Sequence, residues 1–136
     1  MRGVKKAFVL MTTMSLLFTG CSDASLADKT EEKQKGDTIE IGICFDSFVI
    51  ERWERDRDVF VDAATSLGAT VNVQNANGDV DKQKEQIEYL VDKGVDCIVI
   101  IAVDGGALAD SVALAKENGI PVVSYDRLIP NANTDL

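Results

Sequence analysis

Five side chains carry most of the chemistry this 136-residue chain can offer: Asp46, Arg52, Trp53, Asp126 and Arg127. A carboxylate accepts hydrogen bonds from two adjacent hydroxyls, and a guanidinium donates several in a fixed plane. Charge-assisted bonds of this kind are about twice as strong as neutral ones. With an indole to lie against the C–H face of a ring, the set suits a neutral polyol. Hydrolytic and transfer chemistry is poorly served. The chain contains no histidine, which removes Ser-His-Asp and Cys-His catalysis and most zinc sites. No phosphate loop, dinucleotide fingerprint or nucleophile elbow follows any apolar run. The expectation is a binding protein without catalytic residues, cofactor or metal.

Plainer roles compete for the same residues. Trp53 can be the first core residue of a helix. Asp126 and Arg127 can form a surface ion pair with each other, worth little. Asp79 and Asp104 read as helix N-caps rather than ligands. Arg55, Asp56, Arg57 and Asp58 read as a solvated helix face.

The elements that position these residues are visible as a repeating unit. IEIGICF (39–45), ATVNVQ (69–74), CIVII (97–101) and PVVSY (121–125) are short apolar runs rich in β-branched residues. Helical spacing fills the gaps: Trp53, Phe60, Ala63, Ala64 and Leu67 in the first, Ile87, Leu90 and Val91 in the second, Leu108, Val112 and Ala115 in the third. Gly68, Gly94 and Gly119 stand where each helical pattern stops. The order βαβαβαβ implies an α/β fold, a doubly wound parallel layer with right-handed crossovers. Ligands of such sheets bind outside the carboxyl ends of the strands. Asp46, Ser47 and the helix start at Arg52 and Trp53 follow the first strand. Asn75–Gly78 follows the second, Asp104–Gly106 the third, and Asp126 with Arg127 the fourth. The candidate residues thus share one edge.

Residues 1–20 carry Arg2, Lys5 and Lys6 ahead of an apolar run from Ala7 to Phe18, the pattern of an export signal. Leu17-Phe18-Thr19-Gly20-Cys21 resembles a lipobox, so Cys21 is the expected lipidation site, with an ordinary signal peptide as the alternative. Residues 21–38 hold almost no large apolar side chains and read as a tether from that lipid. Removal of the first twenty residues takes away three basic groups and no acid, leaving the remainder more acidic than the whole chain's formal −9. That charge gives no electrostatic case for nucleic acid. Cys44 and Cys97 are expected to be buried free thiols, about four residues out of register if their strands are neighbours. That is roughly 13 Å at the strand rise, too far for a disulfide.

The stretches IGICFDSFVIERWERDRDVF, VQNANGD, GVDCIVII and VVSYDRLI closely resemble the xylose-binding branch of the type I periplasmic sugar-binding proteins. The likeness runs from Ile39 to the C-terminus. It implies an exported receptor, lipid-anchored at the outer face of the cell membrane or in the periplasm, that delivers a D-xylose-like pentose to an ABC importer. The same fold can instead report the sugar to a membrane histidine kinase. By the resemblance, Arg52, Asp126 and Arg127 bond the pentose and Trp53 lines the site. The chain departs from the family pattern at Ser47, Val49 and Ala102-Val103-Asp104. The family has two lobes, so residues 39–136 correspond to a truncated N-terminal sugar-binding lobe, with a non-functional fragment as a further alternative. A fourth strand without its fifth neighbour is then expected to expose an edge.

Overall fold

The computed structural model describes residues 38–136. The leader, Cys21 and all of the tether but Thr38 lie outside the described residues. The four expected strands form as β1 (Glu40–Phe45), β2 (Thr70–Asn75), β3 (Cys97–Ile100) and β4 (Val122–Ser124). Helices α1 (Glu51–Ser66), α2 (Val80–Lys93) and α3 (Ala109–Glu117) connect them. All pairings are parallel, in the order β2-β1-β3-β4. The chain reverses its direction of travel across the sheet between β1 and β3. At such a switch the loops after the two strands diverge and leave a crevice.

Local chemistry explains the boundaries. Asp79 caps α2 by accepting from the backbone N–H groups of Asp81 and Lys82 at 2.9 and 3.0 Å. Asp104 caps a single 3-10 turn, Gly105–Ala107, rather than α3 itself. Gly94 closes α2 with φ 72°, a left-handed residue that costs glycine no Cβ clash. Gly105 matters for a different reason. A Cβ there would stand 2.3 Å from the Leu128 carbonyl oxygen, so the segment after β4 packs directly onto its backbone.

Strand alternation sends two sets of side chains to opposite faces. Cys44, Ile98, Ile100 and Val122 join Ile87, Leu90, Leu108, Val112 and Ala115 beneath α2 and α3. Ile43, Phe45, Val99 and Ile101 join Trp53 on the α1 side. The apolar spacing of α2 and α3 therefore marks their core faces as expected. Helix α1 deviates: Leu67 is 88% exposed and Ala63 is exposed, while Trp53 and Ala64 are buried.

Two further expectations are corrected. Cys97 pairs with Ile41 in the ladder, so Cys44 lies three residues from its level, not four, and on the opposite face. Both thiols are free, yet only Cys44 is buried. The edge of β4 is also not bare: the Asp135 N–H donates to the Val122 carbonyl at 2.7 Å, and the Ser124 N–H to Leu136 at 2.8 Å. The Asp135 carboxylate accepts from the Val122 N–H and pairs with Lys116. Hydrogen bonding to Lys116, then to that N–H, holds the carboxyl below the usual range.

Candidate functional site

Three strand exits and the first turn of α1 converge at the switch between β1 and β3. Asp46 follows β1 directly and is 7% exposed. Its Oδ1 accepts from the Ser47 N–H at 2.6 Å, which fixes the carboxylate and leaves Oδ2 facing the crevice, where it meets Arg127 Nη1 at 2.9 Å. The same Nη1 donates to the Ala102 carbonyl at 2.8 Å, just beyond β3. One guanidinium from the β4 exit thus straddles the exits of β1 and β3.

Its neighbour points elsewhere. Asp126 adopts φ 66°, and the Arg127 N–H donates back to the Tyr125 carbonyl at 2.8 Å. This is a γ-turn of the rare positive-φ kind, a strained conformation that an aspartate tolerates better than most residues. The turn separates the two adjacent side chains. Asp126 Oδ1 accepts from Arg52 Nη2 at 2.9 Å, 74 residues away in sequence, and its Oδ2 takes no hydrogen bond from the described residues. Asp126 and Arg127 are therefore not paired with each other.

Arg52 sits at the centre of the rim. Besides Asp126, its Nε donates to Asp56 at 3.3 Å, and its guanidinium lies 4.7 Å from the centre of the Trp53 ring. Hydrogen bonding to Tyr125, then to Asp126, raises its pKa. Trp53 is only 2% exposed and packs edge-on against Tyr125 at 6.4 Å. In this arrangement it is a core residue roofed by Arg52, and a ligand reaches its face only where Arg52 moves aside. Its buried indole N–H has no partner among the described residues.

Residue spacing does not reveal three members of this cluster. Asp56, which spacing assigns to a solvated face, accepts from both Arg52 and the Tyr125 hydroxyl at 3.1 Å. Arg57 lies 5.0 Å over the Phe48 ring. Gln83, fully buried on α2, donates to the Ile101 carbonyl and accepts from the Val103 N–H, pinning the β3 exit at both ends. The available signal for Asp56 is its place one turn after Arg52. Gln83 has only its position on the apolar side of α2.

Chemically, the site is Arg52 and Arg127 held by Asp46, Asp56 and Asp126, with unused donors on Arg127 and an unused oxygen on Asp126. Both guanidiniums are already paired, so a charged ligand of either sign would leave one partner unpaired in a partly desolvated crevice. Hydroxyls, which both donate and accept, can bridge the pairs without breaking them.

A model of the family described as Periplasmic binding protein domain matches residues 41–136. The chain belongs to that family. Over 125 residues it is 41% identical to the D-xylose-binding periplasmic protein of Escherichia coli K12, covering 92% of this chain and 37% of that protein. It is 47% identical over 97 residues to the protein of the same name from Haemophilus influenzae, covering 71% and 29%. Among solved structures, an ABC transporter solute binding protein from Clostridium phytofermentans with bound β-D-glucose superposes with TM-score 0.67 at 33% identity, covering 70% of this chain and 29% of that one. The Caulobacter myo-inositol binding protein with myo-inositol gives TM-score 0.68 at 26% identity, covering 74% and 34%. This periplasmic binding protein domain thus spans about a third of the length of the relatives it matches.

Proposed function

We propose that this chain supplies one wall of an exported monosaccharide receptor, holding a D-xylose-like neutral sugar for delivery to an ABC importer. The carrying observation is the ion-paired set Asp46–Arg127 and Arg52–Asp126 at the β1/β3 switch. The names of the relatives support the class, since two bind D-xylose by name and two solved neighbours hold uncharged polyols. In this reading Arg127 and Asp126 bond adjacent hydroxyls, Asp46 anchors Arg127, and Arg52 swings off the Trp53 ring to admit the sugar. Cys21 carries the lipid that keeps residues 39–136 at the outer face of the membrane.

Trp53 is the chain's single tryptophan, so its fluorescence reports the departure of Arg52. The test titrates the folded chain with xylose, glucose and the anion xylonate. A saturable change with xylose, weak because one wall leaves the sugar largely solvated, and no response to xylonate is the expected outcome. Preference for the acid, or no saturation with any neutral monosaccharide, overturns the proposal. Deletion of the chain in its host should lower xylose uptake. Intact uptake with loss of xylose-induced expression would instead favour service to a membrane sensor kinase.

A further inference from the structure

Arg127 is held through one side-chain nitrogen. Its Nη1 lies 2.9 Å from the Asp46 carboxylate and donates to the Ala102 carbonyl at 2.8 Å. The ion pair supplies attraction with little directional demand, whereas the hydrogen bond to the carbonyl constrains the angle of the guanidinium. Nε and Nη2 remain for a ligand, in a plane that the carbonyl helps to set. The sheet cannot aim that carbonyl, because it has already ended. The last bonds β3 makes to its neighbours run from the Ile101 N–H to Cys44 and from the Tyr125 N–H to Ile100. Beyond them, among the described residues, no strand bonds the Ala102–Val103 peptide.

Gln83 takes over that role from the core side of α2, where it is fully buried. Its Nε2 donates to the Ile101 carbonyl at 2.9 Å, and its Oε1 accepts from the Val103 N–H at 2.8 Å. The Val103 N–H and the Ala102 carbonyl are opposite ends of one planar trans peptide. Holding the N–H therefore aims the carbonyl, and bonding at one end also strengthens the acceptor at the other. The chain after Arg127 is seated on the same strand exit. A Cβ at Gly105 would stand 2.3 Å from the Leu128 carbonyl oxygen and 3.3 Å from the Ile129 Cα, and Ile129 is buried. We infer that Gln83 is a positioning residue for Arg127: through the Ala102–Val103 peptide it sets the plane in which the guanidinium meets its ligand. Gln83 acts only through that peptide. The inference rests on the proposed sugar site for the identity of the ligand, but not for the placing of Arg127.

Gln86 is the matching control. Its Nε2 donates to the Asn75 carbonyl at 2.9 Å, so it ties the same helix to the end of β2, which Arg127 does not touch. The experiment follows the Nη hydrogens of Arg127 by heteronuclear NMR in the full chain without sugar, assigned by their loss in Arg127→Lys. A guanidinium held at one nitrogen rotates slowly and gives separate signals, and a free one averages them. Separate signals are expected in the unmodified chain. Gln83→Met, which keeps the length of the side chain without either bond, should merge the Arg127 signals and leave those of Arg52 as they were. Gln86→Met should change neither. With xylose, the midpoint of the Trp53 fluorescence titration should rise about tenfold for Gln83→Met, the worth of one charge-assisted bond, and stay in place for Gln86→Met. A purely structural role for Gln83 would lower stability but leave the Arg127 signals of the folded chain unaltered, and that result overturns the inference. Merged Arg127 signals in the unmodified chain overturn it too, a reading that needs no variant to fold. So does an equal response to Gln86→Met. If the unmodified chain ignores xylose, the sugar reading falls, and the NMR comparison still decides the role of Gln83.

Discussion

Adjacent residues of β4 live in different environments. Val122 faces α2 and α3 and is fully buried, while Val123 faces the α1 side and is half-buried. The whole sheet repeats the contrast: the α2/α3 face is a closed core, and on the α1 face Val99 and Ile101 are buried while Cys97 and Val123 are only half-buried. The backbone pairing is the same for both faces. What differs is the number of helices laid on each, so stability should be concentrated on one side.

The largest test is at Leu90, whose side chain fills the space above Gly42. Leu90→Ala should cost about 2–5 kcal/mol in denaturant unfolding, the range for deleting a buried leucine. Phe60→Ala, on the half-open face, should cost less than half as much. Equal losses would mean that the α1 face is closed in solution. Next comes Gln83→Ala, which strands the Val103 N–H and Ile101 carbonyl at about 1–3 kcal/mol for each unsatisfied group. Because those groups sit at the β3 exit, the same variant should weaken the proposed sugar binding, whereas Leu90→Ala should leave the affinity of the folded fraction unchanged.

A finer comparison uses the adjacent valines. Val122→Ala should lose about 1.5–3 kcal/mol at most, the worth of a fully buried valine, and Val123→Ala distinctly less. The alkaline limb gives a separate test. Burial raises the Cys44 thiol to about 12 from an ordinary 9.0, so between those values the unfolded chain has lost a proton that the native chain retains. Stability should be intact below pH 9 and decline as pH rises towards 12. Cys44→Ala should flatten that decline more than Cys97→Ala, since Cys97 is raised by only partial burial and then by Asp135 and Asp96.

Much of the site's location is legible in the amino-acid sequence, and its wiring is not. Strand exits can be counted along the chain, so the apolar runs alone place Asp46, Asp126 and Arg127 on one edge. Their partners cannot be counted in that way. The neighbours Asp126 and Arg127 read as a local pair, but a γ-turn with positive φ at Asp126 sends one to Arg52 and the other to Asp46. Spacing leaves Trp53 open between core and site. Its depth under Arg52 depends on how α1 sits on the sheet, which the period of apolar residues does not record. The reading of residues 55–58 as solvent-facing fails at Asp56 for the same reason, because Tyr125 arrives from a strand two positions away in the sheet.

Local rules account for what the chain encodes directly. Apolar period sets the order of strands and helices, and glycines mark the helix ends. The alternation of short strands and helices requires parallel pairing with the polar residues at one edge. Angle and register between distant segments lie beyond such rules, and only the folded sheet supplies them. Folding offsets Cys44 from Cys97 by three residues and puts them on opposite faces, lays Asp135 and Leu136 along β4, and joins Arg52 to Asp126 across 74 positions. It also covers the α1 side of the sheet unevenly, burying Val99 and Ile101 and leaving Cys97 and Val123 half-buried, because the way α1 lies across the strands is set by packing and not by apolar period.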